Sequence, residues 1–444
     1  MKELRVLISD KEAGTLSQDR TGRCHFSYDL SWQRSAASVP LSLSMPLTAT
    51  DHRPAAVESF MWGLLPDNQE TLARWGRTLD VNPRNPFALL SEVGEDLPGA
   101  VQTVKSEKLS ELRGRENVTW LSADKLAERF ADLMRDPGST KFTETGGLFS
   151  LAGAQRKKAL YLVNGRWGEP KGRTPTTHIL KPAISGFRGQ VENEMFCMRL
   201  AVSLGMPAPP IWTERFGDVP VVVIQRYDRV RRDGNRVIKL DRSGGRVDRI
   251  HQEDCCQALK VRPDQKYQRD GGPGIKEIMH LLAASRNPAE DRDTFMRTLA
   301  YNFIIGGTDG HAKNYSVLIS TGGRFRLAPM YDIASWLPYT KTGGRDKLAM
   351  SVDGHSRLDE IMPRHWEAAA KSSGFNPAHA TALVWDVIAR LPEAAGELLG
   401  KCSAEGSATD EMTLLIKLIS ERARNLAEVY GSESITTGRR PLSS

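Results

Sequence analysis

The chain has 444 residues, of which 40% are hydrophobic, and its 61 lysines and arginines against 54 aspartates and glutamates give a formal net charge of +7. This length and composition exclude a disordered chain, a fibrous repeat and a small disulfide-stapled protein, and they predict about two to three folding units. The longest apolar run, near residues 219–224, is far shorter than the roughly 18 residues that a membrane-spanning helix needs. The five cysteines form no C-x-x-C pair and no apolar leader follows the first residues, so we expect free thiols and a cytoplasmic protein without a membrane partner.

The first 138 residues alternate short apolar runs with turn signals, a pattern typical of a β-rich subdomain. The predicted elements are strands at 4–8, 24–28 and 41–47, a turn at Gly14, a helix at 58–65, and a helix from a cap at Ser122 to the stop at Pro137 and Gly138. We place the first domain boundary at this Pro-Gly pair, so that residues 1–138 form an N-terminal β-rich subdomain.

The rest of the chain divides into a mixed segment and a helical one. Residues 139–249 are predicted to form an α/β lobe, and the polar residues 431–444 a disordered tail. The predicted elements of the α/β lobe are strands at 159–163, 178–180 and 221–225 and a helix at 192–204. The predicted helices of the segment 250–430 lie at 274–286, 291–305, 363–372, 378–391 and 412–430. This order predicts an α+β fold in which a strand-rich lobe precedes a helical lobe. That is the outline of a kinase, although many other two-domain enzymes share it.

The most informative segment runs from residue 303 to residue 332. Asp309 and Asn314 have the D-x-x-x-x-N spacing of a kinase catalytic loop, in which the aspartate accepts a hydroxyl proton and the asparagine holds Mg²⁺. A predicted strand, a Gly-Gly turn and a second strand then lead to Asp332, and a hairpin of this length would return that carboxylate to the loop as a second Mg²⁺ ligand. His311 could touch a phosphate. The alternative is a glycine-rich surface loop, which is the better explanation for either aspartate alone but not for the whole pattern.

Two upstream features could bind a nucleotide. The segment 145–157 is a loop of small residues ahead of a strand, and such loops let backbone N–H groups approach phosphate oxygens. As a bare motif it is weak, and a plain turn explains it better. Lys181 ends a predicted strand and resembles the strand lysine that pairs with nucleotide phosphates. Glu194 in the next helix could orient Lys181, or it could be a solvated helix residue.

The strand at 221–225 leads into a basic segment. Gln225, Arg226 and Tyr227 stand where a kinase links its lobes and grips adenine through backbone groups. Residues 226–249 contain nine lysines and arginines against four acidic residues. This segment could contact a phosphate-rich partner, but without interleaved aromatic residues we favour a solvated hairpin.

Together these residues resemble the HipA family, serine/threonine kinase toxins of bacterial toxin–antitoxin modules. The resemblance extends over almost the full chain, and the segments that carry it are 41–47 (LSLSMPL), 64–68 (LLPDN), 150–155 (SLAGAQ), 252–255 (QEDC), 270–274 (DGGPG), 307–314 (GTDGHAKN), 331–333 (YDI) and 363–365 (PRH). The residues around Asp309 and Asp332 differ from those of ordinary protein kinases but have this family's form.

The resemblance implies a kinase-like two-lobe fold with an additional N-terminal subdomain, residues 139–249 being the ATP-binding lobe and 250–430 the helical kinase lobe. It also implies MgATP-dependent phosphorylation of protein serine or threonine, with Asp309 as the catalytic residue, Asn314 and Asp332 as metal ligands and Ser150 as an autophosphorylation site. The ATP-binding residues it implies are Ala152, Gly153, Ala154, Gln155, Arg156, Lys157, Lys181, Gln225, Arg226, Tyr227, His311, Asn314 and Asp332. Gln225 departs from the acidic residue expected at its position.

The implied partners are a HipB-like DNA-binding antitoxin, through which DNA is mainly contacted, and a protein substrate such as the aminoacyl-tRNA synthetase for glutamate. Two other functions stay open. A small-molecule phosphotransferase would use the same catalytic loop, and a catalytically dead corepressor would show no turnover. The presence of Lys181, Asp309, Asn314 and Asp332 argues against the dead corepressor, and Ser150 in the phosphate loop argues for a protein substrate.

Overall fold

The computed structural model describes residues 1–114, 116–135, 156–233, 236–240, 245–342 and 346–436. Contacts divide the chain into two compact units. Unit 1 comprises Met1–Pro182, Glu214–Asp264 and Ser316–Ala328, and unit 2 comprises Ala183–Thr213, Gln265–Tyr315 and the chain from Pro329 onward.

The strands of the described chain are β1 (Lys2–Ile8), β2 (Lys11–Gln18), β3 (Cys24–Tyr28), β4 (Asp51–His52), β5 (Val101–Val104), β6 (Glu116–Trp120), β7 (Lys158–Val163), β8 (Arg166–Gly172), β9 (His178–Pro182), β10 (Ile211–Phe216), β11 (Val219–Gln225), β12 (Arg229–Asp233), β13 (Arg236–Lys239), β14 (Arg246–Arg249), β15 (His251–Asp254), β16 (Ser316–Ile319), β17 (Phe325–Leu327), β18 (Lys347–Val352) and β19 (His355–Arg357). The helices are α1 (Leu30–Gln33), α2 (Pro54–Gly63), α3 (Gln69–Leu79), α4 (Pro86–Val93), α5 (Leu109–Gly114), α6 (Ala123–Arg135), α7 (Gln190–Ser203), α8 (Cys255–Ala258), α9 (Ile275–Leu282), α10 (Pro288–Ile305), α11 (Pro363–Ser372), α12 (Pro377–Ala404) and α13 (Asp410–Thr436).

Unit 1 begins with an antiparallel sheet of order β4-β3-β2-β1-β5. Its buried face carries Leu4, Val6 and Ile8, which alternate along β1 as the period of a strand requires. The predicted turn at Gly14 is wrong, because Gly14 lies inside β2. A side chain there would place its Cβ 2.3 Å from the Ser27 carbonyl oxygen, so the glycine permits close approach of the backbone to β3.

The predicted strand at 41–47 is also wrong, because side chains hold this segment as a loop. The backbone N–H of Leu41 donates to Tyr28 Oη at 2.6 Å, and that hydroxyl donates to the Met45 carbonyl at 2.6 Å. The N–H of Leu43 donates to Glu253 Oε1 on β15 at 2.7 Å. These contacts satisfy backbone groups that a sheet ladder would otherwise take up.

Four described helices of the N-terminal subdomain were not predicted from the sequence, the short α1 and α5 and the longer α3 and α4. Helix α3 begins where the Asn68 side chain accepts a hydrogen bond from the N–H of Thr71, and α4 where Asn85 accepts one from Ala88. Both start with an asparagine cap, and Pro86 stands in the first turn of α4, so the signals were present in the sequence.

The rest of unit 1 contains three further sheets. One has the order β10-β11-β9-β7-β8-β6, another β13-β12-β14, and the third β15-β16-β17. The last contains the predicted hairpin, in which Val317 pairs with Leu327 and Ile319 with Phe325.

Unit 2 is mainly helical, and its central helix α10 packs against α12 and α13. The predicted end of α12 before Pro392 is wrong, because the helix continues to Ala404. Its buried residues Leu391, Ala395 and Leu398 lie on both sides of the proline, and their packing outweighs the lost hydrogen bond. Helix α13 runs to Thr436, through Gly431 and into the predicted tail, since one glycine costs a helix only about 1 kcal/mol.

The described chain combines helices and sheets in the α+β proportions predicted from the sequence. Among the described helices, none is long and apolar enough to cross a membrane.

Candidate active site

The predicted catalytic loop lies in unit 2 and begins where α10 ends. Gly306 caps the helix with a φ of 67°, a left-handed conformation that favours glycine. The N–H of Gly307 then donates to the Asn302 carbonyl at 2.7 Å, and a Cβ at Gly307 would lie 2.6 Å from Asn302 Oδ1. The two glycines therefore let the chain leave the helix in a tight turn directly before Asp309.

Asp309 is held at the start of the loop by a tyrosine and by its own backbone. The hydroxyl of Tyr267 donates to Asp309 Oδ1 at 2.9 Å, and the Asp309 carbonyl accepts the N–H of His311 at 2.8 Å. The rings of Tyr267 and His311 meet edge to face with centroids 4.9 Å apart. Asp309 is half-buried, so its carboxylate is oriented and still accessible.

Asn314 and Asp332 lie together, as the predicted hairpin requires. Asn314 Nδ2 donates to the Asp332 carbonyl at 3.4 Å, and the Tyr331 hydroxyl donates to the Lys313 carbonyl at 2.6 Å. Asn314 is buried in a single 3₁₀ turn, whereas the Asp332 side chain is exposed. An amide oxygen and a carboxylate are thus present at one place in unit 2.

The chain after Asp332 is fixed from two sides. Asp332 itself has a φ of 60°, which is unusual for a residue with a side chain. Three residues later, the backbone of Ser335 exchanges two hydrogen bonds with the Asn193 side chain of α7, at 2.8 and 2.9 Å. The Ser335 hydroxyl donates to the Ile305 carbonyl at 2.6 Å. Such anchoring can hold the strained backbone at Asp332 in place.

The side-chain oxygens of Asn314 and Asp332 are of the kind that binds a magnesium ion. Mg²⁺ prefers hard oxygen ligands and is usually held by one or two protein groups together with phosphates and water. Asn314 and Asp332 offer two such groups. Within the described ranges no group of three or more His, Cys, Asp or Glu side chains is arranged to hold a metal ion.

Tyr267 is the residue of the site that the sequence analysis missed. It precedes Asp309 by 42 residues, and no spacing rule links the two positions. Lys313 was also passed over; its side chain is buried inside the loop, although the motif 307–314 contains it.

We expect Tyr267→Phe to slow phosphoryl transfer about tenfold, because a hydrogen bond to a charged group is lost. The KM for ATP should stay unchanged, since the phenylalanine ring can still pack against His311 and only the hydrogen bond to the predicted base Asp309 is lost. Steady-state kinetics measures both quantities. Tyr339→Phe, which removes a hydroxyl that donates to the Arg188 carbonyl at 3.1 Å, is the matched control and should keep the wild-type rate. An equal loss of rate in both variants would contradict the role of Tyr267 in positioning Asp309.

Of the described residues predicted to bind the nucleotide, those from Arg156 to Tyr227 lie in unit 1, whereas His311, Asn314 and Asp332 lie in unit 2. Ser150, Ala152, Gly153, Ala154 and Gln155 lie outside the described residues. Lys157 is half-buried ahead of β7. The Arg156 guanidinium donates to the carbonyls of Leu133 and Met134 at the end of α6, at 3.4 and 3.0 Å.

Lys181 is buried in β9, with 4% of its surface exposed. Strand β9 is central, since it pairs with β7 on one side and with β11 on the other, where Lys181 faces Val222. A buried ammonium group requires an anionic or hydrogen-bonding partner. Glu194 in unit 2 is buried as well, and its Oε2 accepts a hydrogen bond from Gln190 at 3.5 Å, so it is not the solvated residue that we considered.

The linker residues 225–227 have their side chains engaged. Gln225 Nε2 donates to the Leu240 carbonyl at 3.0 Å, and the Tyr227 hydroxyl donates to Gln252 Oε1 at 2.7 Å. The N–H of Arg226 donates to the Thr177 carbonyl at 2.9 Å. Contact with adenine through the backbone of this segment stays a prediction.

The side chain of Arg226 belongs to a buried ionic cluster, which we define as Asp96, Arg226, Asp228, Arg229 and Arg249. Asp96 accepts from all three arginines at 3.0 to 3.3 Å, and Asp228 lies 2.7 Å from Arg226 and 2.9 Å from Arg229. For these three arginines the prediction of a solvated hairpin is wrong. The cluster joins the loop between α4 and β5 to the strands that follow β11, and this tertiary arrangement supplies the missing counter-charges.

The cluster predicts a dependence of stability on acid pH. Burial by itself would raise the pKa of Asp228, but Arg226 and Arg229 outweigh it and lower that pKa from 3.8 to about 2. A carboxyl group whose pKa is lowered by folding stabilises the folded state at any pH above its pKa in the unfolded chain. This contribution is lost as the pH falls through the pKa of the folded state. We expect Asp228→Asn to lower the free energy of unfolding by about 2 kcal/mol above pH 4. In urea titrations the difference in free energy of unfolding between the variant and wild type should shrink between about pH 4 and pH 2. A difference that stays constant over this range would contradict the lowered pKa of Asp228.

Comparison with known proteins gives concordant results. The family model described as the HipA-like C-terminal domain matches residues 149–395, and that of the HipA N-terminal domain matches residues 4–104. A putative kinase, Y4mE, of Sinorhizobium fredii is 33% identical over 386 residues, which cover 84% of this chain and 86% of that protein. The serine/threonine-protein kinase toxin HipA of Shewanella oneidensis is 28% identical over 413 residues, 89% of each chain.

A solved structure of the Shewanella oneidensis MR-1 toxin–antitoxin system, HipA with HipB and its operator DNA, contains a chain that superposes with a TM-score of 0.81. The two chains are 24% identical, and the match covers 97% of this chain and 98% of the other. This likeness shows the fold, and it confirms the α+β kinase-like class predicted from the sequence.

Proposed function

The chain belongs to the HipA family, and on that premise we propose that it is an MgATP-dependent kinase that phosphorylates serine or threonine side chains of a protein. The observation that carries the proposal is the arrangement in unit 2, where Asn314 contacts Asp332 and Tyr267 orients Asp309. A base and two hard oxygen ligands are the groups that phosphoryl transfer needs from a protein.

In the proposed reaction, the Asp309 carboxylate accepts the proton of the substrate hydroxyl. The hydroxyl oxygen forms a bond to the γ-phosphorus of ATP, and the bond from that phosphorus to the β,γ-bridging oxygen breaks, so that ADP leaves. Tyr267 keeps Asp309 in the orientation for proton acceptance. Asn314 and Asp332 would hold the metal ion, which supplies charge neutralisation for the phosphates when bound.

Other residues would hold the nucleotide. We propose that Lys181 and the loop that contains Ala152, Gly153, Ala154, Gln155 and Lys157 bind the phosphates, and that the backbone of residues 225–227 binds adenine. Arg156 would order the end of this loop, because its guanidinium is bonded to carbonyls of α6. His311, whose ring packs against Tyr267, would face the phosphates from the catalytic loop.

We propose that Ser150 is an autophosphorylation site that switches the enzyme off. A phosphate there adds about −1.5 to −2 charges beside the triphosphate and would displace the loop. Nucleotide affinity of the unmodified protein, compared with protein phosphorylated on Ser150, tests the switch. Equal affinities would refute it even if the residue is phosphorylated.

The proposed biological role is that of a toxin which arrests growth and is neutralised by a HipB-like DNA-binding antitoxin. It rests on the relatives, one named a kinase toxin and one solved with HipB and operator DNA. The proposed substrate is a translation protein such as an aminoacyl-tRNA synthetase, with DNA contacted mainly through the antitoxin.

Incubation of the purified protein with ATP labelled at the γ-phosphate and a host lysate tests the activity. Label on one or a few protein bands is expected, and Asp309→Asn should abolish it. Label confined to the small-molecule fraction would identify a metabolite phosphotransferase instead. No transfer to any acceptor, with ATP bound, would identify a catalytically dead corepressor.

We expect Asp332→Ala to weaken Mg²⁺-dependent nucleotide binding, because the ion loses a carboxylate ligand. The measurement is nucleotide affinity as a function of magnesium concentration. Asp353→Ala, at another exposed aspartate with positive φ, is the control and should behave as wild type. An unchanged magnesium dependence in Asp332→Ala would contradict the assignment.

A further inference from the structure

A small polar pocket lies in unit 1, and its lining includes no residue assigned above to catalysis. Its volume is about 320 Å³. It is built where the turn between β1 and β2 meets the sheet β13-β12-β14. The lining residues are Ser9, Asp10, Lys11, Arg232, Arg246, Asp248 and Arg249. We call this the arginine pocket.

The arginine pocket has a tight turn on one side, a buried arginine as its floor and two strand arginines on the other side. Ser9 and Asp10 both have positive φ, 51° and 65°, as the two central residues of a tight hairpin turn do. Arg249 is the buried floor, with 2% of its side chain exposed, and its Nη1 binds Asp10 at 3.4 Å. On the other wall, Arg232 pairs with Arg246 across β12 and β14.

Two arginines of the arginine pocket reach their nearest carboxylate through Nε. Arg232 Nε donates to one oxygen of Asp248 at 2.5 Å, and Arg246 Nε donates to the other oxygen at 2.9 Å. Apart from a 4.0 Å approach of Arg246 to Asp10, the described part of the chain offers their Nη groups no further partner. One carboxylate therefore orients two guanidinium groups, and within the described residues their outer N–H donors are left for a ligand.

The arginine pocket has a net positive charge. Four cationic side chains line it against two carboxylates, and the buried Arg249 is already paired with Asp10 and Asp96. Arg232 and Arg246 are 41% and 61% exposed, so a dissolved anion can reach them. Oriented guanidinium forks present parallel N–H donors that match the oxygens of a phosphate group.

We propose that the arginine pocket binds a small phosphate dianion, either inorganic phosphate or the phosphate group of a small monoester. Arg232 and Arg246 donate through their Nη groups, Lys11 contributes charge, and the Ser9 hydroxyl lies at the rim. The volume of about 320 Å³ exceeds that of one phosphate group and leaves room for the small organic part of a monoester. This site is independent of the proposed kinase function, because none of its residues takes part in that chemistry.

Isothermal titration calorimetry of the full chain tests the arginine pocket with two probes, inorganic phosphate and glycerol phosphate. We expect the double variant R232Q/R246Q to bind at least one of them at least tenfold more weakly than wild type. The matched control is R20Q/R23Q, which removes the same charge from the exposed turn between β2 and β3 and should bind as wild type. All three proteins should unfold at the same temperature, since the substituted side chains are exposed.

The two probes distinguish the source of the phosphate. Binding of both assigns the site to inorganic phosphate, and binding of glycerol phosphate alone assigns it to a monoester. Equal affinities in wild type and R232Q/R246Q would overturn the proposal, because any remaining binding then lies elsewhere, as at the nucleotide site. Absence of heat from both probes would overturn it too, and so would loss of affinity for a short DNA duplex in R232Q/R246Q without any effect on the two probes.

Discussion

Replacing Asp309 by asparagine is expected to lower the rate of phosphoryl transfer by roughly 10²- to 10⁴-fold, because the substrate hydroxyl loses its proton acceptor. Asparagine keeps the shape of the side chain and can still contact the Tyr267 hydroxyl, which lies 2.9 Å from Asp309 Oδ1. ATP affinity should remain close to wild type, since the proposed metal ligands Asn314 and Asp332 are untouched. Single-turnover transfer to substrate and equilibrium nucleotide binding are the two measurements.

The control for this variant is Asp293→Asn, which removes a carboxylate on α10 that pairs with His379 at 2.9 Å. It lies in the same unit and changes the charge by the same amount, and its transfer rate should equal that of wild type. If Asp309→Asn retained the full rate, Asp309 would not be the base. If it lost nucleotide binding as well, the residue would serve the nucleotide and not the hydroxyl.

Replacing Asp96 by asparagine is expected to have the largest effect on stability, lowering the free energy of unfolding by about 3–5 kcal/mol. Asp96 is buried, with 2% of its surface exposed, and accepts from Arg226, Arg229 and Arg249. Without its charge these guanidinium groups remain buried with too few anions, which is the costly way to break a buried ion pair. Urea unfolding followed by tryptophan fluorescence measures the change.

The matched control is Asp264→Asn in the same unit. Asp264 pairs with Arg262 at 3.3 Å, and its side chain is 64% exposed, so the change should be below about 1 kcal/mol. If both variants lost a comparable free energy of unfolding, burial of the ionic cluster would not determine its contribution to stability. A substitution at Thr176 would test the same cluster from another side, because its hydroxyl donates a hydrogen bond to Asp96 at 2.5 Å.

Local signals in the sequence were sufficient for the elements whose partners lie close along the chain. Strand β3 and helix α11 match their predicted bounds, and the predicted hairpin forms from β16 and β17. The D-x-x-x-x-N spacing, followed by a hairpin and Asp332, also predicted the contact between Asn314 and Asp332. Each of these predictions depends on residues within about one or two elements of each other.

Long-range contacts account for what the sequence analysis missed or misassigned. Segment 41–47 has the alternation of a strand, but Tyr28 and Glu253 bind its backbone and hold it as a loop. Gly14 suggested a turn, yet it serves the close approach of two strands.

The sequence by itself predicted the fold class from periodicity and the loop from Asp309 to Asn314 from motif spacing, because both are properties of neighbouring residues. Its resemblance to known proteins indicated the family. The tertiary structure alone decided that Tyr267 orients Asp309 and that Asp96 neutralises arginines more than a hundred positions later. The physical reason is the same in both cases. A single hydrogen bond or ion pair between distant positions leaves no periodic trace, and whether a charge is solvated or buried depends on which segment packs over it.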